Sequence, residues 1–228
     1  MFIIEERPKS VEAEAYRVLR TNIEYSSYDK SLKVIGITSA TADETKSTTA
    51  GNIALSFCQA EKKVLLVDLD LRRPSVHKKF KISNQRGFTE IILGKYNFNE
   101  CIQKHEGGLD IITSGKIPPN PAEMLGSGKT TEFLNFVKEQ YDYVIIDLPP
   151  LLAVTDAQIV STKIDGMVFV IRQGKAKKDE IVEANKLLKK VKANVIGTVL
   201  TRIKKENGKN NYYYYYGEET TKKRRGKH

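Results

Sequence analysis

Lys46 and Ser47 stand where an apolar segment, Val34-Ile35-Gly36-Ile37, passes through Ser39-Ala40-Thr41-Ala42-Asp43-Glu44-Thr45 into a helical pattern. A strand, a loop and a helix opening with Lys-Ser is the layout of a phosphate-binding loop. In such a loop backbone N–H groups surround the phosphates, the lysine reaches the β/γ oxygens, and the hydroxyl ligates magnesium. On this reading Ala42, Asp43, Glu44, Thr45, Lys46, Ser47 and Thr48 line a nucleotide. Two further apolar runs end in acids suited to the same ion. Val64-Leu65-Leu66-Val67 ends in Asp68, with Asp70 two residues on, and Tyr143-Val144-Ile145-Ile146 ends in Asp147. Three strand-like segments with such endings point to nucleotide chemistry at the C-terminal edge of a parallel sheet.

The loop itself is poor in glycine. Tight turning with φ > 0 favours glycine, yet Thr45 precedes Lys46, and a β-branched residue in the left-handed conformation costs about 1–2 kcal/mol. Asp43 and Glu44 set two carboxylates where an anion should sit, so repulsion adds to the cost unless their side chains turn to solvent. Alone, the segment reads better as an ordinary helix N-terminus with Ser/Thr caps. The two acidic segments reverse that reading, although Asp68 and Asp70 are also open to the plainer role of helix caps at a strand end. A competing match, Gly126-Ser127-Gly128-Lys129-Thr130-Thr131, has Glu123 where a small residue belongs. It also follows Pro121-Ala122-Glu123-Met124-Leu125, a helix start rather than a strand, so a helix-to-helix connection is expected there.

These residues need a frame. Strands are expected near 33–38, 63–68, 109–113, 142–147, 166–171 and 194–201. Helices are expected from Ser10, a reasonable N-cap, to Tyr25, and near 46–60, 88–93, 121–140 (broken), 155–163 and 177–192. The strands are continuous β-branched runs, as in a parallel sheet covered on both faces. Such alternation defines an α/β fold, here P-loop NTPase-like, with a mostly parallel central sheet and helices on both faces. Lys175, Lys177 and Lys178 read as a solvated helix start. After Arg202 the pattern collapses into Asn207-Gly208-Lys209-Asn210-Asn211, five consecutive tyrosines and a Lys/Arg-rich end, a composition that predicts a disordered tyrosine-rich tail.

Bulk properties exclude several classes. With 228 residues, 40% of them hydrophobic, the chain can bury one large core. No apolar stretch approaches the roughly 20 residues of a membrane span, and the acidic start does not read as a secretory signal, so a cytoplasmic protein is expected. Cys58, within Ala54-Leu55-Ser56-Phe57, reads as a buried thiol; the other cysteine is Cys101. Of the net charge of +10, +6 falls between Arg202 and His228, where nine Lys or Arg face three Glu. The remainder is only mildly basic, so no nucleic-acid face is expected there, and the basic end reads as a solvated terminus, with an anionic lipid surface next and nucleic acid as a further alternative.

The residues also resemble a known family, the cytoplasmic kinase component of bacterial tyrosine kinases that govern capsule and exopolysaccharide synthesis. That family belongs to the deviant P-loop group with MinD-like and ParA-like ATPases. The resemblance rests on Glu14-Ala15-Tyr16-Arg17-Val18-Leu19-Arg20-Thr21-Asn22-Ile23, the loop at 39–48 and Val67-Asp68-Leu69-Asp70-Leu71-Arg72-Arg73-Pro74. It continues through Ser114-Gly115, Pro118-Pro119-Asn120-Pro121-Ala122-Glu123, Asp147 with Pro149-Pro150, and the tyrosine run. It implies an ATP- and Mg²⁺-dependent protein-tyrosine kinase. Lys46 would neutralise the β/γ phosphates, and Ser47 would hold Mg²⁺. Asp147 (Walker B) would hold it through water. Asp68 (Walker A′) would contact the metal or assist removal of the tyrosine proton, and Asp70 would complete the acidic cluster. Tyr212, Tyr213, Tyr214, Tyr215 and Tyr216 would be the phosphoacceptors, and Glu14, Arg17 and Arg20 would serve assembly into a homo-oligomeric ring. A plain intrahelical Glu-Arg ladder is the other reading of those three. The implied partners are a membrane-embedded activator of polysaccharide co-polymerase type, which would hold the protein at the inner face of the membrane, and a cognate tyrosine phosphatase. The implied division is an N-terminal helical segment at 1–30, a kinase domain at 31–203 and a tyrosine-cluster tail at 204–228. The family usually has glycine at 43 and 45. An active kinase and a catalytically weak regulatory scaffold therefore both stand, with a MinD/ParA-type ATPase behind them.

Overall fold

The computed structural model describes residues 2–26 and 32–203. In chain order the elements are α1 (Ile3–Glu6), α2 (Val11–Glu24), β1 (Val34–Ser39), α3 (Lys46–Cys58), β2 (Val64–Asp68), α4 (Val76–Phe80), α5 (Phe88–Ile92), α6 (Phe98–Cys101), β3 (Gln103–Lys104), β4 (Asp110–Ile112), α7 (Pro121–Gly126), α8 (Gly128–Gln140), β5 (Tyr143–Asp147), α9 (Asp156–Ser161), β6 (Gly166–Arg172), α10 (Lys178–Lys190) and β7 (Val195–Thr201). The strands form one sheet in the order β3-β4-β2-β5-β1-β6-β7. Every pairing is parallel except that of β3 with β4.

The apolar runs become strands because both sheet faces are covered. Alternate residues of β2 serve opposite cores. Leu65 and Val67 pack with the helices α5, α7 and α8, whereas Val64 and Leu66 pack with α3 and the N-terminal helices. Ser10 caps α2 as expected, accepting the Ala13 N–H at 3.1 Å. The two N-terminal helices join the core on the α3 side. Phe2, Ile4, Ala13 and Ile23 are buried there, and the Phe2 ring lies where a Cβ on Gly51 would stand 2.2 Å from it.

The broken helix expected over 121–140 is α7 and α8, divided at Ser127, whose hydroxyl accepts the Thr130 N–H. The glycine-rich mimic is therefore a helix-to-helix connection. Sequence periodicity did not reveal α1, α4, α6 or β3, which are too short to show a period. Cys58 is only half-buried, and Cys101 is the buried thiol. Among the described residues no helix is long and apolar enough to cross a membrane.

Candidate active site

The strand order places the three chemical segments side by side. β5 lies between β1 and β2, and Asp147 is in register with Ile37 on one side and Asp68 on the other. The loop after β1 and the acids ending β2 and β5 thus share one edge of the sheet. Lys46, the first residue of α3, is buried, and its Nζ donates to Asp70 Oδ2 at 2.9 Å and to Asp147 Oδ1 at 3.5 Å. Burial opposes the lysine's charge, but Asp147 and Asp70 outweigh it and push its pKa up to about 12. Lys46 is a fixed cation.

The carboxylates are crowded. Burial, reinforced by the charge of Asp147, raises the Asp68 carboxyl to about 8. Burial also raises Asp147, against the opposing pull of Lys46 and Ser47. Asp68 takes part in both roles open to it in the sequence. Its Oδ2 accepts the N–H groups of Ser75 and Val76, both at 3.0 Å, and so caps α4, while Oδ1 accepts the Asp70 N–H at 3.1 Å. It is nevertheless wholly buried beside Asp147 in the acidic cluster. Asp147 Oδ2 is buried without a hydrogen-bond partner among the described residues. An orphaned carboxylate oxygen beside a hydroxyl and a second acid is a donor set suited to a hard divalent cation.

Because Asp68 binds its proton more tightly folded than unfolded, the folded chain holds more protons between the ordinary carboxylate range and about pH 8. Stability without divalent ion should therefore fall as pH rises across that window. Urea titrations at pH 6 and pH 8 should show the fall in the wild type and a flatter profile in Asp68→Asn. An equal slope in both would remove Asp68 as its source.

The glycine-poor loop takes the shape that its sequence resists. Asp43 and Thr45 have φ of 62° and 66°, the left-handed conformation. The predicted repulsion does not arise as expected for Glu44, which neither faces solvent nor stands unpaired. Glu44 is fully buried. Its Oε1 accepts the Thr41 N–H at 2.7 Å and the Thr41 hydroxyl at 3.0 Å, and its Oε2 accepts the N–H of Arg172, at the end of β6, at 3.1 Å. Arg172 donates in turn from Nη1 to the Asp43 carbonyl at 3.0 Å. Asp43 and Ala42 are exposed. Thr45 Oγ1 lies 2.9 Å from Thr201 Oγ1, which ties the loop to β7. The carboxylate that looked like an obstacle is a brace.

Thr45→Gly should relieve about 1–2 kcal/mol of left-handed strain while losing a hydroxyl contact of similar size, so stability should change by about 1 kcal/mol or less. Thr45→Val keeps the strain and loses the contact, so it should be the less stable variant in chemical denaturation. The reverse order would contradict the assignment.

Several contributors gave no spacing signal. Ser75 donates its hydroxyl to Ser47 Oγ at 2.8 Å, and Lys79 Nζ donates to Thr48 Oγ1 at 2.9 Å. Arg72 forms a two-pronged pair with the buried Asp156, Nε to Oδ2 at 2.9 Å and Nη2 to Oδ1 at 3.1 Å, which pins the loop after β2 to α9. Glu14, Arg17 and Arg20 lie away from this cluster. Glu14 pairs with Arg17 at 2.9 Å, and Arg17 also donates to Gln59 Oε1 and the Pro8 carbonyl. Arg20 donates to the Ser56 carbonyl. Ser56 and Gln59 mark the opposite end of α3 from Lys46. Tyr212 to Tyr216 fall outside the described residues.

A fold and a site of this kind define a P-loop nucleotide-binding class, and comparison with known proteins narrows it. The AAA domain family model matches residues 32–195. Tyrosine-protein kinase YwqD of Bacillus subtilis is 46% identical over 194 residues, covering 85% of this chain and 82% of that protein. The putative tyrosine-protein kinase CapB of Staphylococcus aureus is 35% identical over 201 residues, covering 88% of each. The tyrosine-protein kinase Etk of Escherichia coli is 34% identical over 203 residues, which span 89% of this chain but 28% of Etk. Among solved structures, the chimerical protein CapA2B2 superposes with a TM-score of 0.87 at 36% identity, covering 90% of both chains. The cell division ATPase MinD of Pyrococcus furiosus shares the fold alone, with a TM-score of 0.63 at 20% identity over 74% of this chain and 71% of MinD. The chain belongs to the bacterial tyrosine-protein kinase family that includes YwqD and CapB.

Proposed function

We propose that this chain is an ATP-dependent protein-tyrosine kinase that phosphorylates its own C-terminal cluster, Tyr212 to Tyr216, and thereby regulates capsular or exopolysaccharide synthesis and export. The observation that carries the reading is the convergence of Lys46, Asp70 and Asp147, with Asp68 alongside, beneath a loop curled through left-handed residues at 43 and 45. The curl also supports catalysis over a purely scaffolding role, because Asp43 and Thr45 adopt without glycine the left-handed backbone that glycine would supply there.

Phosphoryl transfer needs positioning and charge neutralisation more than covalent help. Backbone N–H groups of residues 42–48 would cradle the phosphates, and Lys46 would turn from Asp70 and Asp147 toward the β/γ oxygens. Ser47 and Asp147 would hold magnesium, with Asp68 nearby, and the orphaned Asp147 Oδ2 supports that assignment. The ion's contribution when bound is to neutralise charge on the phosphate oxygens. A tyrosine hydroxyl, with a pKa of about 10, must give up its proton as it attacks. A carboxylate close to the attacking hydroxyl, the role the resemblance implies for Asp68, would receive it.

Around this core, residues 1–30 would serve assembly through Glu14, Arg17 and Arg20 into a ring, and residues 204–228 would present tyrosines to a neighbouring site. A membrane-embedded activator would hold the ring at the inner membrane face, and a tyrosine phosphatase would reverse the modification. The test is incubation of the full chain with Mg-ATP and an activator fragment, read by phosphotyrosine detection and by mass spectrometry of the tail. Signal on Tyr212 to Tyr216 that disappears in Lys46→Met is the expected result. Bound nucleotide without any phosphotyrosine would leave the scaffold reading instead.

A further inference from the structure

A second concave site lies on the same edge of the sheet, one strand beyond the acidic cluster. β4 neighbours β2, and the loop leaving β4 meets the loop before α5 around an open cleft of about 470 Å³. Its lining includes Arg86, Lys95, Lys116 and Tyr96. The three cations are exposed, and among the described residues none has a carboxylate within ion-pair distance. Arg86 lies over the Tyr96 ring, 4.3 Å from its centroid, so its guanidinium is held in place by cation–π attraction. Glu90, the one acid in the lining, is buried and already satisfied. Its Oε2 accepts the Gly87 N–H and its Oε1 the Lys116 N–H.

The walls are built rather than incidental. Asn84 bridges the two loops, accepting from the Gly115 N–H and the Ser114 hydroxyl at 3.1 Å each and donating to the Gly115 carbonyl at 2.8 Å. Gly115, at φ 75°, could carry no side chain there, because a Cβ would stand 1.9 Å from Glu90 Oε2. A preorganised arginine with two lysines and an aromatic wall is the chemistry that receives a phosphorylated side chain. Ile117, 63% exposed beside Lys116, adds apolar surface for a ring.

We propose that this cleft binds phosphotyrosine of the chain's own C-terminal cluster, in the same molecule or a second copy, and so retains the product of the kinase reaction. The inference rests on the kinase reading above for its source of phosphotyrosine. Reach allows it. From β7 to β4 is five strand spacings, about 24 Å at roughly 4.8 Å each. The nine residues from Ile203 to Tyr212 extend to about 30 Å at roughly 3.3 Å per residue.

The test uses the full chain without ATP and synthetic peptides spanning residues 207–219, with and without phosphate on Tyr214, read by fluorescence anisotropy. The phosphopeptide should bind about tenfold or more tighter than its unmodified form, with affinity falling as salt rises. Arg86→Ala with Lys116→Ala should remove that preference while leaving the thermal midpoint unchanged, and Arg86→Lys should restore part of it. Equal binding of both peptides, or a preference that survives the double substitution, would overturn the proposal. So would competition by inorganic phosphate as effective as that by phosphotyrosine, or binding only to vesicles of anionic lipid. Because the peptide is phosphorylated chemically, its failure to bind in a chain that still autophosphorylates counts against the cleft alone. Binding in a chain that makes no phosphotyrosine counts against the kinase reading alone.

Discussion

Replacing Lys46 with methionine should abolish phosphoryl transfer and destabilise the fold in one step. The lysine is the fixed cation against which Asp70 and Asp147 are buried, at 2.9 and 3.5 Å. Breaking a buried pair by deleting one partner typically costs about 3–5 kcal/mol. Loss of a preorganised cation from a transfer site typically lowers turnover on the order of 10²–10³-fold. The two effects separate by pH. The stranded carboxylates can take up protons, so the stability deficit should be largest near pH 8 and shrink toward pH 5, whereas turnover should stay lost throughout. Paired urea titrations and phosphotyrosine assays at both pH values check this. A deficit that grows as the pH falls would mean that Lys46 is not what compensates the acids.

Glu44→Ala is the second large effect expected. It leaves the part-buried N–H groups of Thr41 and Arg172 without the acceptors that hold them at 2.7 and 3.1 Å, and each stranded donor costs about 1 kcal/mol, the low end of the range for a fully buried one. The loop would keep only the Arg172 Nη1 contact to the Asp43 carbonyl as its link to β6, and small displacements of groups that position a reactant can cost on the order of 10²-fold in rate. Glu44→Gln should fall between wild type and alanine, because one end of the amide still accepts while the other now opposes an N–H. Measured KM for ATP should rise in the same order. A Glu44→Ala variant with wild-type KM and stability would show that the brace is dispensable.

Sequence made the sheet legible because short apolar runs such as Val64 to Val67, ending in an acid or a turn, suit a strand covered on both faces. It also singled out Lys46, Ser47, Asp68, Asp70 and Asp147 from their type and their place after apolar runs, and the fold brings Lys46 against Asp70 and Asp147 with Asp68 in register beside them. What it missed depended on contacts remote in the chain. Glu44 looked like an intruder because its partner Arg172 lies 128 residues away, and Arg72 gave no hint of Asp156, 84 residues on. The choice for Asp68 between cap and cluster could not be made from spacing, since the side chain takes part in both. The short helices α4 and α6 gave no periodic pattern at all.

The left-handed Asp43 and Thr45 have a consequence on the unfolded side of the balance. Glycine in those positions would give the disordered chain many more backbone states to surrender on folding. This chain surrenders fewer, so the discomfort of the turn is set against a smaller entropic loss. On the proposed function, a triphosphate would meet a turn that Asp43 and Thr45 already hold left-handed.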